Sequence, residues 1–585
     1  MTEPGTPNVE KHISVGVAAS GLSHTAWVAA VPRRLASASW KMRALIAFFA
    51  GALSDLAMAP FFLSPVLLVT LPVLVWLIDT AGESEAIDRP DDERRRIALR
   101  RAASAGWFFG FGYFLFGLFW IGEAFLVEAE KFAVLLPAAV TLLPAGLALF
   151  FAAAAAASRA LWRPGLARVL VLAVVVSIAE WLRGHVLTGL PWNVLGYALT
   201  WPLPLLQGAS LLGIYGLTIA VVVAFASPLV ALADSATADR SRRATLPRGA
   251  IGAVVSLAIV GSLAGYGFVR LAGDTAEVVP GVKLRIVQPS VPQREKWQQD
   301  KQREIFDLHL DLSRRDASGR IDDLAGVTHL VWPEAAMPFL PLESPQALSE
   351  IGALLPDSAF LVTGALRAER PVSDGVLRGD AIPGRPAVYN SMMVFNGSGG
   401  LNAIYDKIHL VPFGEYLPMQ PLLEAIGLRQ LTRLRGGFEV GRKPRPVIDV
   451  PGLPPLIGLI CYESIFPAAV VQGADRPGLA INVTNDGWFG KTTGPHQHFH
   501  AGRVRAVEEG VPVIRAANNG ISAVIDPLGR VGDRLDLDVR GVIDAALPKA
   551  LPPPPYARFG DLMFVLIAAA GALAAAAMAR RSTSA

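Results

Sequence analysis

The chain's single cysteine follows an apolar run of strand length, Pro455–Ile460, and opens the stretch Cys461-Tyr462-Glu463-Ser464. A thiol where a buried strand meets polar residues suits a nucleophile held rigidly at a pocket mouth. Free cysteine is also among the most buried of residue types, so position alone leaves inert packing as the other reading. Two further strand ends bear on the choice. Thr328–Trp332 is an apolar run that stops at Pro333-Glu334, and Gly400–Tyr405 leads into Asp406-Lys407. Singly, a glutamate or lysine at a strand end is more often solvated than catalytic. Together the three side chains make a complete set for acyl transfer. The carboxylate takes the thiol proton, the thiolate attacks a carbonyl, and the ammonium faces the developing oxyanion.

The elements that must position these groups lie in an apolar chain. Hydrophobic residues are 52% of 585 and charged residues 17%, with a mean hydropathy of +0.43. A soluble chain carries about 25% charged residues. A bilayer span needs about 20 mostly apolar residues. Eight stretches are candidates, at roughly 44–59, 61–79, 102–122, 132–157, 166–182, 207–233, 249–270 and 561–579. Asp55 interrupts the first, and Glu180 lies near the end of the fifth. No apolar core follows a basic start in residues 1–40, which argues against a signal peptide. The expected division is an N-terminal extension over 1–43, a seven-span bundle over 44–272, a catalytic domain over 273–555, and a last span with a short tail over 556–585.

Basic clusters mark alternate connections. They are Arg33, Arg34, Lys41 and Arg43; Arg89, Arg94–Arg96, Arg100 and Arg101; Arg159, Arg163 and Arg168; Arg240, Arg242, Arg243 and Arg248; and Arg580 with Arg581. The positive-inside rule then places both termini in the cytoplasm and residues from about 274 to 555 outside, in the periplasm of a two-membrane envelope. The net charge of +4 therefore reports loop topology and not nucleic-acid binding. Outside the cytoplasm, a lone cysteine has no partner in its own chain, so it is either buried or used. The acid and lysine favour use.

Residues 274–555 alternate short β-branched or apolar runs with helical stretches. The runs are Val282–Pro289, His329–Trp332, Ala359–Gly364, Asn390–Phe395, Leu456–Ile460, Leu479–Val483, Val511–Ala516, Ser522–Ile525 and Val542–Ala546. Helices are expected at Gln293–Arg315, Pro345–Leu355, Ile465–Gln472 and Gln497–Glu509. Such alternation predicts an α/β sandwich. Pro552–Pro555 is a stiff connector to the last span.

The acid, lysine and cysteine, in this order and setting, resemble the Glu-Lys-Cys triad of the nitrilase superfamily. With spans on both sides, the chain resembles more narrowly the bacterial apolipoprotein N-acyltransferase family. The resemblance rests on Glu180-Trp181-Leu182-Arg183-Gly184, Gly189-Leu190-Pro191-Trp192, Gln288–Gln293 with Lys296-Trp297, Trp332-Pro333-Glu334, Tyr405-Asp406-Lys407, Pro412–Tyr416, Cys461-Tyr462-Glu463, Thr484–Phe489 and Arg515–Gly520. It implies a membrane bundle carrying an extramembrane nitrilase-like domain, in the inner membrane. It makes Glu334 the general base, Lys407 the oxyanion partner and Cys461 the nucleophile. Glu415 and Glu463 become supporting acids, Trp297 and Tyr462 lie near the substrate, and Asn390 is a looser match. It further implies a phospholipid acyl donor, typically phosphatidylethanolamine, an acceptor with a diacylglyceryl N-terminal cysteine, and no cofactor. The departures are the long leader and Asn519, where threonine is expected.

Other features have competing readings. Pro191–Pro204, with Trp192, Tyr197 and Trp201, is either an interfacial segment or a plain loop. Pro412–Gly437 is either a lid or an irregular connection. His496, His498 and His500 suggest a metal, but they open a helical stretch where that spacing diverges, and no acid or thiol stands at ligand spacing. Gly208, Gly213 and Gly216 read as close helix packing. Glu180 and Arg183 read as a paired structural site. A tethered amidase would share the triad without needing seven preceding spans, and a scaffold or transporter would leave the three matched strand ends unexplained.

Overall fold

The computed structural model describes residues 24–82, 90–237, 248–273, 277–369, 386–425, 437–472 and 475–583. Among the described residues the catalytic domain has eleven strands: β1 Val278–Gln288, β2 His329–Met337, β3 Phe360–Glu369, β4 Ala387–Asn396, β5 Leu401–Asp406, β6 Leu456–Ile460, β7 Leu479–Thr484, β8 Val513–Ala517, β9 Ser522–Ile525, β10 Val531–Leu535 and β11 Gly541–Pro548. They make a six-stranded sheet, β11-β1-β2-β3-β4-β5, and a five-stranded sheet, β10-β9-β8-β7-β6. β1, β2 and β3 run parallel, as do β6, β7 and β8, and the remaining pairs are antiparallel.

The inner faces meet through Ile286, Val331, Val362 and Val394 on one side and Leu456, Ile460, Ile481, Val483 and Ile514 on the other. Strands buried on both faces read as continuous apolar runs, which is why β6 and β7 were legible in the sequence. Helices Gln302–Ser313 and Pro345–Leu354 cover the outer face of the larger sheet, and Gly494–Glu509 covers the smaller. The α/β sandwich is thus as expected. Two helical expectations need correction. Gln293–Lys301 is mostly turn ahead of a helix that begins at Gln302, and Ile465–Gln472 is not helical but follows a single 3₁₀ turn, Cys461–Ile465.

Eight spans are met only in part. Among the described residues four helices are long and apolar enough to cross a bilayer: Ser64–Gly82, Ala129–Ala160, Ala209–Ser235 and Gly249–Ala272. A fifth span forms if Asp91–Gly117 and Phe119–Leu126, bent by 52° at their junction, count as one. The other candidates fall short for physical reasons. Trp40–Ser54 has 15 residues, Ala167–His185 carries Arg168, Glu180 and Arg183, and the apolar part of the last helix is only Leu562–Met578. The expected basic connections at Arg89 and at Arg240–Arg243, and most of the leader, lie outside the described residues.

Most of the Pro191–Pro204 segment forms a joint between bundle and sandwich. Residues 191–200 are buried there, whereas Trp201 and Pro202 are exposed, Trp201 at 51%. Trp192 and Trp120 both donate their indole N–H to Gln497 Oε1, at 2.7 and 3.1 Å. Glu180 accepts from Leu195 N at 2.9 Å, and Arg183 donates to the Trp192 carbonyl at 2.8 Å. The paired charges therefore hold this connecting segment. Gly213 has φ +63 and breaks its helix, with the Tyr556 ring 2.2 Å from where a Cβ would stand. At the break, Ile214 N donates to Glu508 Oε1 of the sandwich at 2.9 Å.

β2 bulges next to Glu334, since Trp332 pairs with Thr363 but Met337 pairs with Ala365. Gly364 on β3 makes room for that bulge. A Cβ there would lie 2.5 Å from Glu334 Cα and 2.9 Å from Ala335 N. Gly364→Ala should therefore cost about 1–3 kcal/mol through overpacking, read as a lowered thermal midpoint in detergent. Gly261→Ala, where a Cβ meets nothing within 4 Å, should leave the midpoint unchanged.

Candidate active site

Glu334 stands at the bulge within β2, and Lys407 and Cys461 directly follow β5 and β6, so two come from one sheet and one from the other. All three are buried, at 7%, 1% and 6% exposure. Lys407 Nζ lies 2.8 Å from Glu415 Oε2 and 3.9 Å from Glu334 Oε1. Asn390 Nδ2 donates to Glu334 Oε1 at 2.7 Å and to Glu415 Oε1 at 2.9 Å, so one amide bridges both carboxylates. Glu415 also accepts from Val411 N at 2.8 Å.

Electrostatics follow from this enclosure. Burial alone would pull the Lys407 ammonium down, but Glu415 and Glu334 outweigh it and hold the group above the usual lysine range. Burial pushes Glu334 up, with Lys407 opposing. Burial and the Glu334 charge push the Cys461 thiol up, again against Lys407. The resting thiol is therefore protonated and needs a base, and the nearby carboxylate has the raised proton affinity of one.

Glu463 is placed differently. It is fully buried behind the site and accepts from Tyr405 Oη at 2.7 Å and from Ile408, His409 and Ile460 N–H at 3.0, 3.1 and 2.8 Å. Arg445 pairs with it at 3.2 Å. Burial raises this carboxyl, but Arg445 and the other donors outweigh that and hold it below the usual range. It is a structural anion joining the exits of β5 and β6.

A cavity of about 270 Å³ opens beside Glu334, Asn390 and Glu415. Trp297, Gln293 and Trp488 of the catalytic domain line it, as do Ala124, Val127 and Phe132 of the helical bundle. Tyr462 does not line it. Its hydroxyl donates to the Gly189 carbonyl at 2.9 Å, and its ring packs edge-on against Phe466 at the bundle contact. Part of the Pro412–Gly437 segment, 426–436, lies outside the described residues.

Several neighbours escaped the sequence reading. Lys296 is 1% exposed and donates to the Glu334 carbonyl at 2.9 Å, and burial pulls its ammonium down to about 8, with Glu334 and Cys461 opposing. Its position beside Trp297 was the available signal. Arg445 had none, being one arginine in an irregular stretch. Cys461, Asp486 and His498 bring ligand atoms within 4.8 Å of one another. However, Asp486 is already paired with Arg515 at 2.8 Å, a cation that would repel a metal.

Comparison with known proteins agrees with this anatomy. Residues 283–551 match the carbon-nitrogen hydrolase family, and residues 50–227 match the apolipoprotein N-acyltransferase N-terminal domain. The chain is 46% identical over 531 residues to an apolipoprotein N-acyltransferase of Rhodopseudomonas palustris, covering 91% of this chain and 94% of the relative. It is 46% identical over 537 residues to the one from Bradyrhizobium diazoefficiens, covering 92% and 95%. A solved amidase from Nesterenkonia sp., at 20% identity, covers 47% of this chain and 94% of its own with a TM-score of 0.29, which is too low to carry an argument.

The raised thiol has a direct consequence. Without substrate, Cys461 should react with iodoacetamide more slowly than a free cysteine at pH 8, and its rate should still be rising at pH 9, because thiolate is the reactive form. A rate already level below pH 7 would contradict the electrostatics described here.

Proposed function

Because this chain belongs to the apolipoprotein N-acyltransferase family, we propose that it carries an acyl chain from a membrane phospholipid, through a thioester on Cys461, to the N-terminal amine of a diacylglyceryl lipoprotein. The observation that supports this best is the shared wall of the site. The cavity at Glu334 is built jointly by the sandwich and by Ala124, Val127 and Phe132 of the bundle. A soluble-substrate amidase has no need of such a wall.

Glu334 takes the Cys461 proton, and sulfur attacks the ester carbonyl to form a C–S bond. The ester C–O bond then breaks, and the proton held by Glu334 goes to the leaving glycerol oxygen, releasing a lyso-lipid. In the second half the lipoprotein amine attacks the thioester. A C–N bond forms, the C–S bond breaks, and an amine proton returns through Glu334 to sulfur. Lys407 faces the oxyanion in both halves. Glu415 and Asn390 hold Lys407 and Glu334, Glu463 holds the two loops, Trp297 walls the cavity, and Tyr462 braces the turn against the bundle. One sulfur serving two bulky lipids favours ping-pong order. Phosphatidylethanolamine is the donor we expect.

The shorter helices Trp40–Ser54, Ala167–His185 and Leu562–Thr583 complete the bundle to eight spans in this reading. The catalytic domain then faces the periplasm from the inner membrane, with both termini cytoplasmic.

Cys461→Ala should abolish both the acyl adduct and transfer, and Glu334→Gln and Lys407→Ala should each lower adduct formation by about 10²–10⁴-fold. Intact-mass measurement with phosphatidylethanolamine alone checks this, and transfer by Cys461→Ala would end the mechanism. For topology, Arg95→Cys in a Cys461→Ala background should react with an impermeant maleimide only after the cytoplasmic face is opened. Labelling of intact cells from outside would reverse the orientation.

A further inference from the structure

Of the histidine triplet in the helix Gly494–Glu509, the proposed reaction uses none. His500 turns to the bundle, 2.6 Å from Thr200 Oγ1. His498 turns to the catalytic turn and is fully buried. Its Nε2 lies 3.0 Å from the Cys461 carbonyl oxygen and 3.0 Å from Ser464 Oγ, which itself donates to that carbonyl at 3.2 Å. On the other side Nδ1 lies 2.9 Å from Asp486 Oδ1 and 3.1 Å from Arg515 Nη2. Asp486 is fixed in turn by Arg515 at 2.8 Å and by Thr484 Oγ1 at 3.0 Å. The Trp192 and Phe489 rings close the remaining sides at centroid distances of 5.7 and 5.8 Å.

Cys461 needs such a hold. Its φ is +49, a left-handed conformation for a residue with a β-carbon. Such a conformation is strained and persists only where its surroundings over-determine it. A carbonyl oxygen can only accept, so its 3.0 Å contact with the imidazole is a bond when Nε2 carries a proton. The Cys461–Tyr462 peptide is trans and planar, so fixing its oxygen also fixes the direction of the Tyr462 N–H on the opposite side.

We propose that His498 is a positioning residue for acyl transfer, clamping the Cys461 carbonyl from a base of Asp486 and Arg515 and so holding the left-handed turn that aims the thiol. The inference rests on the reading of Cys461 as nucleophile. It also gives the bundle a route to the thiol. Gln497, one residue before His498, is gripped by the indoles of Trp120 and Trp192, so the membrane helices fix the element that carries the clamp.

Two amide substitutions separate the two ends of the ring. His498→Gln keeps an N–H near the place of Nε2, toward Cys461, whereas His498→Asn keeps one near Nδ1, toward Asp486 only. The full-length enzyme in detergent, mixed with phosphatidylethanolamine micelles, is followed by intact mass through a single turnover. The Asn variant should form the adduct about 10²-fold more slowly at saturating lipid, the loss expected of a reacting group misplaced by about 1 Å. Its half-saturating lipid concentration should not change, and the Gln variant should recover most of the rate. Equal rates for Gln and Asn at matched melting temperatures, with Cys461→Ala inactive, would overturn the clamp alone. So would a defect confined to lipid affinity. Transfer by Cys461→Ala would overturn the nucleophile reading and the clamp with it.

Discussion

Lys407 keeps a positive charge with 1% of its surface exposed, and taking an ammonium out of water costs several kcal/mol even after the protein relaxes. The surroundings offset that cost with two carboxylates, and those create a second difficulty. Glu334 and Glu415 are like charges in a low-dielectric space. The ammonium between them and the single Asn390 amide shared by both make the arrangement tolerable. Every member must be in place at once. That requirement brings β2, β4 and β5 to a common edge, and Lys407 N–H even donates to the Asn390 carbonyl at 2.9 Å. The triad geometry is thus a solution to a charge-burial problem before it is a catalyst.

A second buried ion couples this edge to the other sheet. Glu463 collects N–H groups from the chain leaving β5 and from the last residue of β6. One carboxylate thereby sets the separation of Lys407 from Cys461. Gly458 serves the same junction, since a Cβ there would come within 2.8 Å of the Tyr405 ring whose hydroxyl donates to Glu463. The thiol and the ammonium come from different sheets, and the apolar core between the sheets carries their registration.

Legibility in the sequence divides along these lines. β2 and β6, buried throughout, announced themselves as apolar runs, with Glu334 where the first meets polar residues and Cys461 at the end of the second. Lys407 follows the half-exposed β5 and was read from its type beside the other two. β10, Val531–Leu535, could not be read, because Val-Gly-Asp-Arg-Leu is largely solvent-facing and has no apolar face to show. The eight expected spans are met only in part by length and hydropathy, because helices such as Ala167–His185 carry charges, Glu180 and Arg183, that are buried against the connecting segment. Pro191–Pro204 misled for a related reason. Tryptophan and tyrosine mark a membrane interface and a domain interface equally well, and only the partner, here Gln497, tells them apart. Arg445 and His498 act through backbone and buried ions contributed from elsewhere in the chain, which no local pattern encodes.

The bundle therefore does more than anchor the sandwich. In the proposed mechanism, a thioester stored on Cys461 would be lost whenever water reached it before the amine did. Cys461 itself is buried, and the cavity beside Glu334 sets Trp297, Trp488, Val127 and Phe132 among polar neighbours such as Gln293, Arg294 and Asn485. The same burial raises the thiol and so works against forming the nucleophile. The two demands conflict if the site is static. In the proposed mechanism they are reconciled because Glu334 serves as a built-in base and the thiolate exists only during the proton transfer that accompanies attack. The indole grip on Gln497 and the buried Pro191–Thr200 segment fasten the bundle to the element packed behind Cys461.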